Sequence, residues 1–204
     1  MRKLFAILAI ATFTLSALAQ EKITTYEMSY FGDAGTTYNV SATEPDNKGK
    51  FGYYISVYSF DGKRTPVTIN VEQKQLDAFV ASLQKAKETY LEWDSVAVAN
   101  SVTDLDKPMK INLPNLMCAW HGAEWYFDYS TNLSFVFKHI EGKPVLIVRT
   151  GKLVSSSNRY IDSKGGAFVF TSVEEIDAFL ATLDITLVTE HFITKNQKQK
   201  LFED

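Results

Sequence analysis

Hydrophobic positions along the chain follow two periods. Leu76, Phe79, Val80 and Leu83 fall at i, i+3, i+4 and i+7, and so do Ile176, Phe179, Leu180 and Leu183. That spacing predicts two amphipathic helices. The two stretches also match each other. Leu76-Asp77-Ala78-Phe79-Val80-Ala81-Ser82-Leu83 recurs as Ile176-Asp177-Ala178-Phe179-Leu180-Ala181-Thr182-Leu183, identical at five of eight positions. Each has a polar start of capping-box type, Asn70 with Gln73 and Ser172 with Glu175. The first helix is expected to reach about Tyr90 or Trp93. Val96-Ala97-Val98-Ala99 either extends it or forms a strand.

Ahead of each helix the period drops to two. Strands are expected at about 24–31, 38–43, 51–60 and 65–69, and again at 123–129, 133–140, 144–154 and 166–170. Asp33-Ala34-Gly35, Asp46-Asn47-Lys48-Gly49 and Asp61-Gly62-Lys63 divide the first group as turns. Thr131-Asn132, Glu141-Gly142-Lys143 and the stretch 155–165 divide the second. Asp104-Leu105-Asp106-Lys107-Pro108 reads as a loop. The plan is α+β: tandem ββββα-like halves at 20–100 and 101–188, each an antiparallel sheet with one helix packed on it. A single longer antiparallel sheet with both helices on one face is the alternative. The tail 189–204 is a short amphipathic helix or a frayed end.

One apolar run does not fit either period. Residues 4–15 follow Arg2 and Lys3 and precede Ala17-Leu18-Ala19. That order of charged start, apolar stretch and small-residue site is a secretory signal peptide over 1–19. It predicts export to the periplasm, cell surface or medium of a Gram-negative bacterium, with no transmembrane helix after cleavage. The whole chain carries 21 basic and 24 acidic side chains, and losing Arg2 and Lys3 takes the net charge from −3 to −5. An acidic balance argues against nucleic acid as a partner. At 46% hydrophobic and 22% charged, the composition supports a packed core. Cys118 is the single cysteine, so no disulfide forms within the chain; it reads as a small buried hydrophobe.

In element order, with Tyr53-Tyr54-Ile55-Ser56-Val57-Tyr58 leading into the first helix, the chain resembles the PUR-repeat and Whirly-type architectures. That resemblance implies single-stranded nucleic-acid binding, which export and the acidic balance both oppose. In its signal segment, repeated helix and Tyr/Phe-rich strands the chain also resembles small exported proteins of Gram-negative Bacteroidota, a resemblance that implies no particular activity.

Candidate chemistry is sparse. His121, His139 and His191 have no partner at metal-ligand spacing, so neither a metal nor a cofactor is expected. Phosphate-binding, dinucleotide and nucleophile-elbow motifs are missing from the sequence. Two groups remain. The first is aromatic: six of the ten tyrosines lie between Tyr26 and Tyr58. A sheet face carrying Tyr26, Tyr30, Tyr54 and Tyr58 would bind a protein, peptide or glycan without catalysis; packing against a second layer is the structural alternative. The second group, around residues 120–129, supports a hydrolase reading. There Glu124 or Asp128 would act as general acid or base and His121 as proton shuttle. On one continuous strand Trp120, Glu124 and Asp128 share a face, and His121, Trp125, Phe127 and Tyr129 share the other. His121 and Glu124 meet only if His121-Gly122 turns. As a plain hairpin, the segment would put an apolar face to the core and a polar face outward.

Overall fold

The computed structural model describes residues 20–32, 37–62 and 64–202. The segment 1–19 read as a signal peptide, the turn 33–35 and Lys63 lie outside the described residues. The first half runs β1 (Gln20–Glu27), a single 3-10 turn at Ser29–Phe31, β2 (Thr37–Thr43), β3 (Gly52–Ser59), β4 (Val67–Glu72) and α1 (Gln73–Ala99). Then come β5 (Asp104–Met109), β6 (Leu116–His121), β7 (Trp125–Thr131), β8 (Leu133–Ile140) and β9 (Lys143–Thr150). The short pair β10 (Leu153–Val154) and β11 (Asp162–Ser163) precedes β12 (Gly166–Phe170), α2 (Val173–Ala181) and α3 (Ile185–Lys200). The fold is α+β with antiparallel pairing throughout.

Ten strands form one sheet in the order β5-β8-β9-β12-β3-β4-β6-β7, with β2 and then β1 branching from β3. α1 lies against β4, β8 and β9, and α2 packs beside α1 on β12 and β1. Leu76, Phe79, Leu83, Ala86 and Tyr90 of α1 meet Tyr53, Ile55 and Ile69 of the sheet and Phe168, Phe170 and Phe179 around β12 and α2. Each fully buried Leu or Phe here contributes about 1.5–3 kcal/mol, so this shared core is what holds both helices on the sheet. Lys87 of α1 and Asp177 of α2 pair at 2.6 Å on its rim.

Several boundaries differ from the sequence expectations. β4 runs into α1 without a loop, so Asn70 stays in the strand and its amide donates to Tyr53 O at 3.0 Å. The capping role passes to Gln75, whose Oε1 accepts from Glu72 N at 3.1 Å. At the second helix the expected cap holds, Glu175 N donating to Ser172 Oγ at 3.3 Å. Residues 104–108, expected as a loop, pair with β8 as an edge strand. The tail forms a full helix, held to β1 where Glu21 meets His191 and Lys195. Among the described residues no helix is long and apolar enough to cross a membrane.

The sheet forks where its two halves join. Gly166 and Ala167 of β12 pair with Ser59 and Tyr58 of β3, and there the pairing stops. Continued, the register would set Val169 opposite Ser56. Instead the strands separate and β1 reaches into the gap. Tyr26 Oη donates to Ser56 O at 2.6 Å, and Val169 N donates to Met28 Sδ at 3.1 Å. Two side chains thus satisfy backbone groups that a continued ladder would have paired. Beyond the fork, Phe31 crosses to the other face and joins a small cluster with Val145, Ala167 and Val169. Gly166 sits at the join because a Cβ there would lie 2.4 Å from Tyr58 O.

Candidate functional site

Side chains on a strand alternate faces, so residues paired across neighbouring strands share one. Facing the helices are Tyr53, Ile55, Val57, Val67, Ile69, Cys118 and Trp120, all buried. The opposite face of β3, β4, β6 and β7 carries rows that the register defines. One row is Tyr54, Asn70 and Met117. The next is Ser56, Thr68, Ala119 and Phe127. At the hairpin end His121 pairs with Trp125, the rings meeting edge to face at 5.3 Å. The middle row is small, and aromatic side chains border it. Trp125, Phe127 and Tyr129 stand at alternate positions of β7 and are 49%, 38% and 64% exposed. The Phe127 and Tyr129 rings lie nearly parallel, 8° apart with centroids at 6.1 Å.

Beside Tyr54 this face deepens into a cleft of about 780 Å³, with Thr43, Lys50, Asn70, Glu72 and Gln73 among its walls. Burial, and then the Glu72 carboxylate, push the Tyr54 phenol above its usual range, so it stays a neutral donor. Much of the charge is already engaged. Glu72 pairs with Lys74 at 2.7 Å. Asp46 Oδ1 accepts from Lys48 N and Lys50 N, both at 2.8 Å, and those backbone bonds hold its carboxyl below the usual range.

The four tyrosines expected on one face divide. Tyr54 and Tyr58 do face outward from β3. One side of the Tyr58 ring is covered by Phe31, stacked at 3.7 Å and 8°. Tyr30, 45% exposed, sits edge-on to the same Phe31. Tyr26 is only 3% exposed, on the helix side against Tyr38, Phe168 and Phe179. It closes the fork and does not share an open face with the others.

His121, Glu124 and Asp128 also separate. The chain does turn after His121, with Gly122 N donating to Glu124 O at 2.9 Å. Glu124 is in that exposed turn, and among the described residues no hydrogen bond joins it to His121 or Asp128. Asp128 pairs with Cys118 on the opposite side of β7 from His121. Its carboxylate ties down the chain, accepting from Ser130 N at 3.0 Å and Val154 N at 3.1 Å. The outer face of the hairpin, expected to be polar, is aromatic, because Cys118 and Trp120 of β6 already occupy the core side. Trp125 has a site role in the sequence only as a wall of the hydrolase reading, and Phe127, Tyr129, Asn70 and Gln73 have none. Their signal was available as W-x-F-x-Y, three large rings on one side of an edge strand.

Cys118 is buried, and burial pushes its thiol up to about 12. Among the described residues no group of three or more His, Cys, Asp or Glu side chains could hold a metal ion. Comparison of the chain with protein-family models, with curated proteins and with solved structures gave no match.

Proposed function

We propose that the protein is an exported, non-catalytic binding module whose ligand seats on the outward face of β3, β4, β6 and β7. The observation that carries this reading is the stripe Trp125, Phe127 and Tyr129, three large rings left open on one strand while Trp120, one residue before the turn, is fully packed. Contiguous apolar surface of this kind marks interaction sites in soluble proteins. Aromatic residues suit such surfaces because they offer large contact areas at a low entropy cost. The export half of the reading rests on the signal-like order of residues 1–19.

The test replaces Trp125, Phe127 and Tyr129 together by Ser and compares the variant with the parent against soluble polysaccharides and a random-peptide array. Lost binding with an unchanged melting temperature is the expected result. Binding that survives the triple change, or that is lost only through unfolding, refutes the face as the site.

A further inference from the structure

Taking that face as the site, we infer that its ligand is a neutral oligosaccharide, lying from the cleft beside Tyr54 across the sheet to the ring stripe on β7. The first argument is the chemistry left free in the cleft. Its acids and bases balance two against two: Glu72 holds Lys74, Asp46 holds its own loop, and Lys50 adds the second ammonium. The Tyr54 hydroxyl and the Gln73 side-chain amide have no hydrogen-bond partner among the described residues. The Asn70 amide nitrogen is used on Tyr53 O, and Asn70 is a wall of the cleft with its amide oxygen unpaired among the described residues. A phenol, a free amide and an amide oxygen around an aromatic ring match a ligand of vicinal hydroxyls on an apolar ring face. With two carboxylates, Asp46 and Glu72, set against two ammoniums, Lys50 and Lys74, the cleft offers no net charge to select a phosphate, a carboxylate or an ammonium.

The second argument is what the neighbouring strand edge excludes. An extended peptide adds to a sheet by pairing with free backbone groups of an edge strand. β7 is the edge beside this face, but Ser156 already occupies it at Phe127 and Tyr129. Ser156 N donates to Phe127 O at 2.8 Å, and Tyr129 N donates to Ser156 Oγ at 3.3 Å. The rings are therefore offered without a backbone ladder. Single-stranded nucleic acid also stacks on aromatic rings, but it needs a basic groove along its backbone. This chain is acidic overall, with 24 acidic against 21 basic side chains.

The third argument is reach. Tyr54 and the β7 rings are three strand spacings apart, about 14 Å. Between them the outward face carries Thr68 and Asn70 on β4 and Met117 and Ala119 on β6. A single sugar cannot touch both ends, whereas an oligosaccharide crosses the small middle row without obstruction. A cleft of about 780 Å³ falls in the usual range of ligand pockets and takes one end of the chain.

The experiment is affinity electrophoresis of the purified protein in native gels. The gels contain mixed-linkage β-glucan, xyloglucan, galactomannan, mannan, starch or dextran, with polygalacturonate and heparin as charged counterparts. At least one neutral polymer should retard the protein. Tyr54→Ala, Gln73→Ala and Trp125→Ala should each weaken that retardation by about tenfold, the size of one stacked ring or one hydrogen-bonded amide. Glu88→Gln, on the exposed side of α1, should not. Equal melting temperatures exclude a folding artefact. Retardation by charged polymers alone, by no polymer at all, or without dependence on Tyr54 and Gln73 overturns the inference. The peptide array separates the two levels: peptide binding that Trp125→Ala abolishes keeps the face as a site and removes the glycan. If nothing bound by either assay depends on the face, both readings fall.

Discussion

Removing one hydroxyl at the sheet fork tests how the two halves of the sheet are joined. Tyr26→Phe keeps the ring against Phe168 and Phe179 and deletes only the donor to Ser56 O, 2.6 Å away. Tyr26 itself is buried, and burial, with Tyr38 adding to it, keeps its phenol un-ionised. Losing one partner of a buried hydrogen bond costs about 1–3 kcal/mol, because the carbonyl left behind stays desolvated. Ser56 is only half-buried, which sets the expectation at the lower end, about 1–2 kcal/mol. For a chain of this size that lowers the melting temperature by about 3–6 °C. Tyr54→Phe is the matched control. It removes the same atom from a half-buried tyrosine of the same sheet, whose hydroxyl has no partner among the described residues. Its melting temperature should stay within about 1 °C of the parent, as surface changes do. The assay is thermal unfolding followed by circular dichroism, supported by hydrogen exchange at the amides of β3 and β12. Equal shifts for the two variants, or no shift for Tyr26→Phe, would refute the claim that Tyr26 substitutes for a rung of the ladder.

Other perturbations bear on the same architecture. Burial raises the Glu175 carboxyl, but hydrogen bonds from Ser29 and Thr171 outweigh it and hold the group below its usual range. A depressed carboxyl stabilises above its unfolded value and loses that contribution as pH falls through the folded value. Glu175→Gln should therefore melt lower than the parent at pH 7, with the gap closing below about pH 4 in urea titrations followed by fluorescence. Cys118, with its thiol pushed by burial up to about 12, should resist an aromatic disulfide reagent at pH 8 and react only once urea unfolds the chain. Rapid labelling of the native protein would contradict its burial. Gly166→Ala forces a Cβ to within 2.4 Å of Tyr58 O and should cost about 1–3 kcal/mol by chemical denaturation, as overpacking does. An unchanged midpoint would show that the β3–β12 join has slack.

Legibility in the sequence followed how many faces of an element meet the core. β8 and β12 lie where expected, at 133–140 and 166–170, because turn residues bound both: Thr131-Asn132 and Glu141-Gly142 around one, Gly165 before the other. β6 escaped notice for the opposite reason. Leu116, Cys118 and Trp120 face the helices, and Ala119 is buried on the other side beneath its neighbours, so Leu-Met-Cys-Ala-Trp shows no alternation. A strand whose outward positions are also apolar reads as a plain apolar run. β5 failed through its charges. Asp104, Asp106 and Lys107 with Pro108 look like a loop, yet these are the residues that keep an exposed edge from pairing with another chain. The last turn of α1 was ambiguous because Val96 and Val98 are exposed and only Ala97 is buried. Asp94 holds that end by pairing with the buried His139 at 3.0 Å, a contact no local pattern encodes.

The candidate site was half legible, and the reason lies in what tyrosine can do. The tyrosines from Tyr26 to Tyr58 cluster in sequence, but the fold assigns them different tasks. Tyr26 and Tyr53 turn to the core and donate to backbone carbonyls there, Tyr26 to Ser56 and Tyr53 to Leu183 and Asp184. Tyr58 is covered on one side by Phe31, which reaches it because the fork lets the chain cross to the outer face. Tyr54 alone among them lines the cleft. Density of an amphipathic residue therefore says that polar tips are needed near the core, not that a face is open. The β7 rings carry the sharper signal. Trp125, Phe127 and Tyr129 alternate with Tyr126 and Asp128, which face the other way. Tyr126 is the side chain that packs against the core, so the three rings on the opposite face of this edge strand have no core to enter. They stay exposed, which is why three alternating rings at a sheet edge say more about an open face than a cluster of tyrosines does.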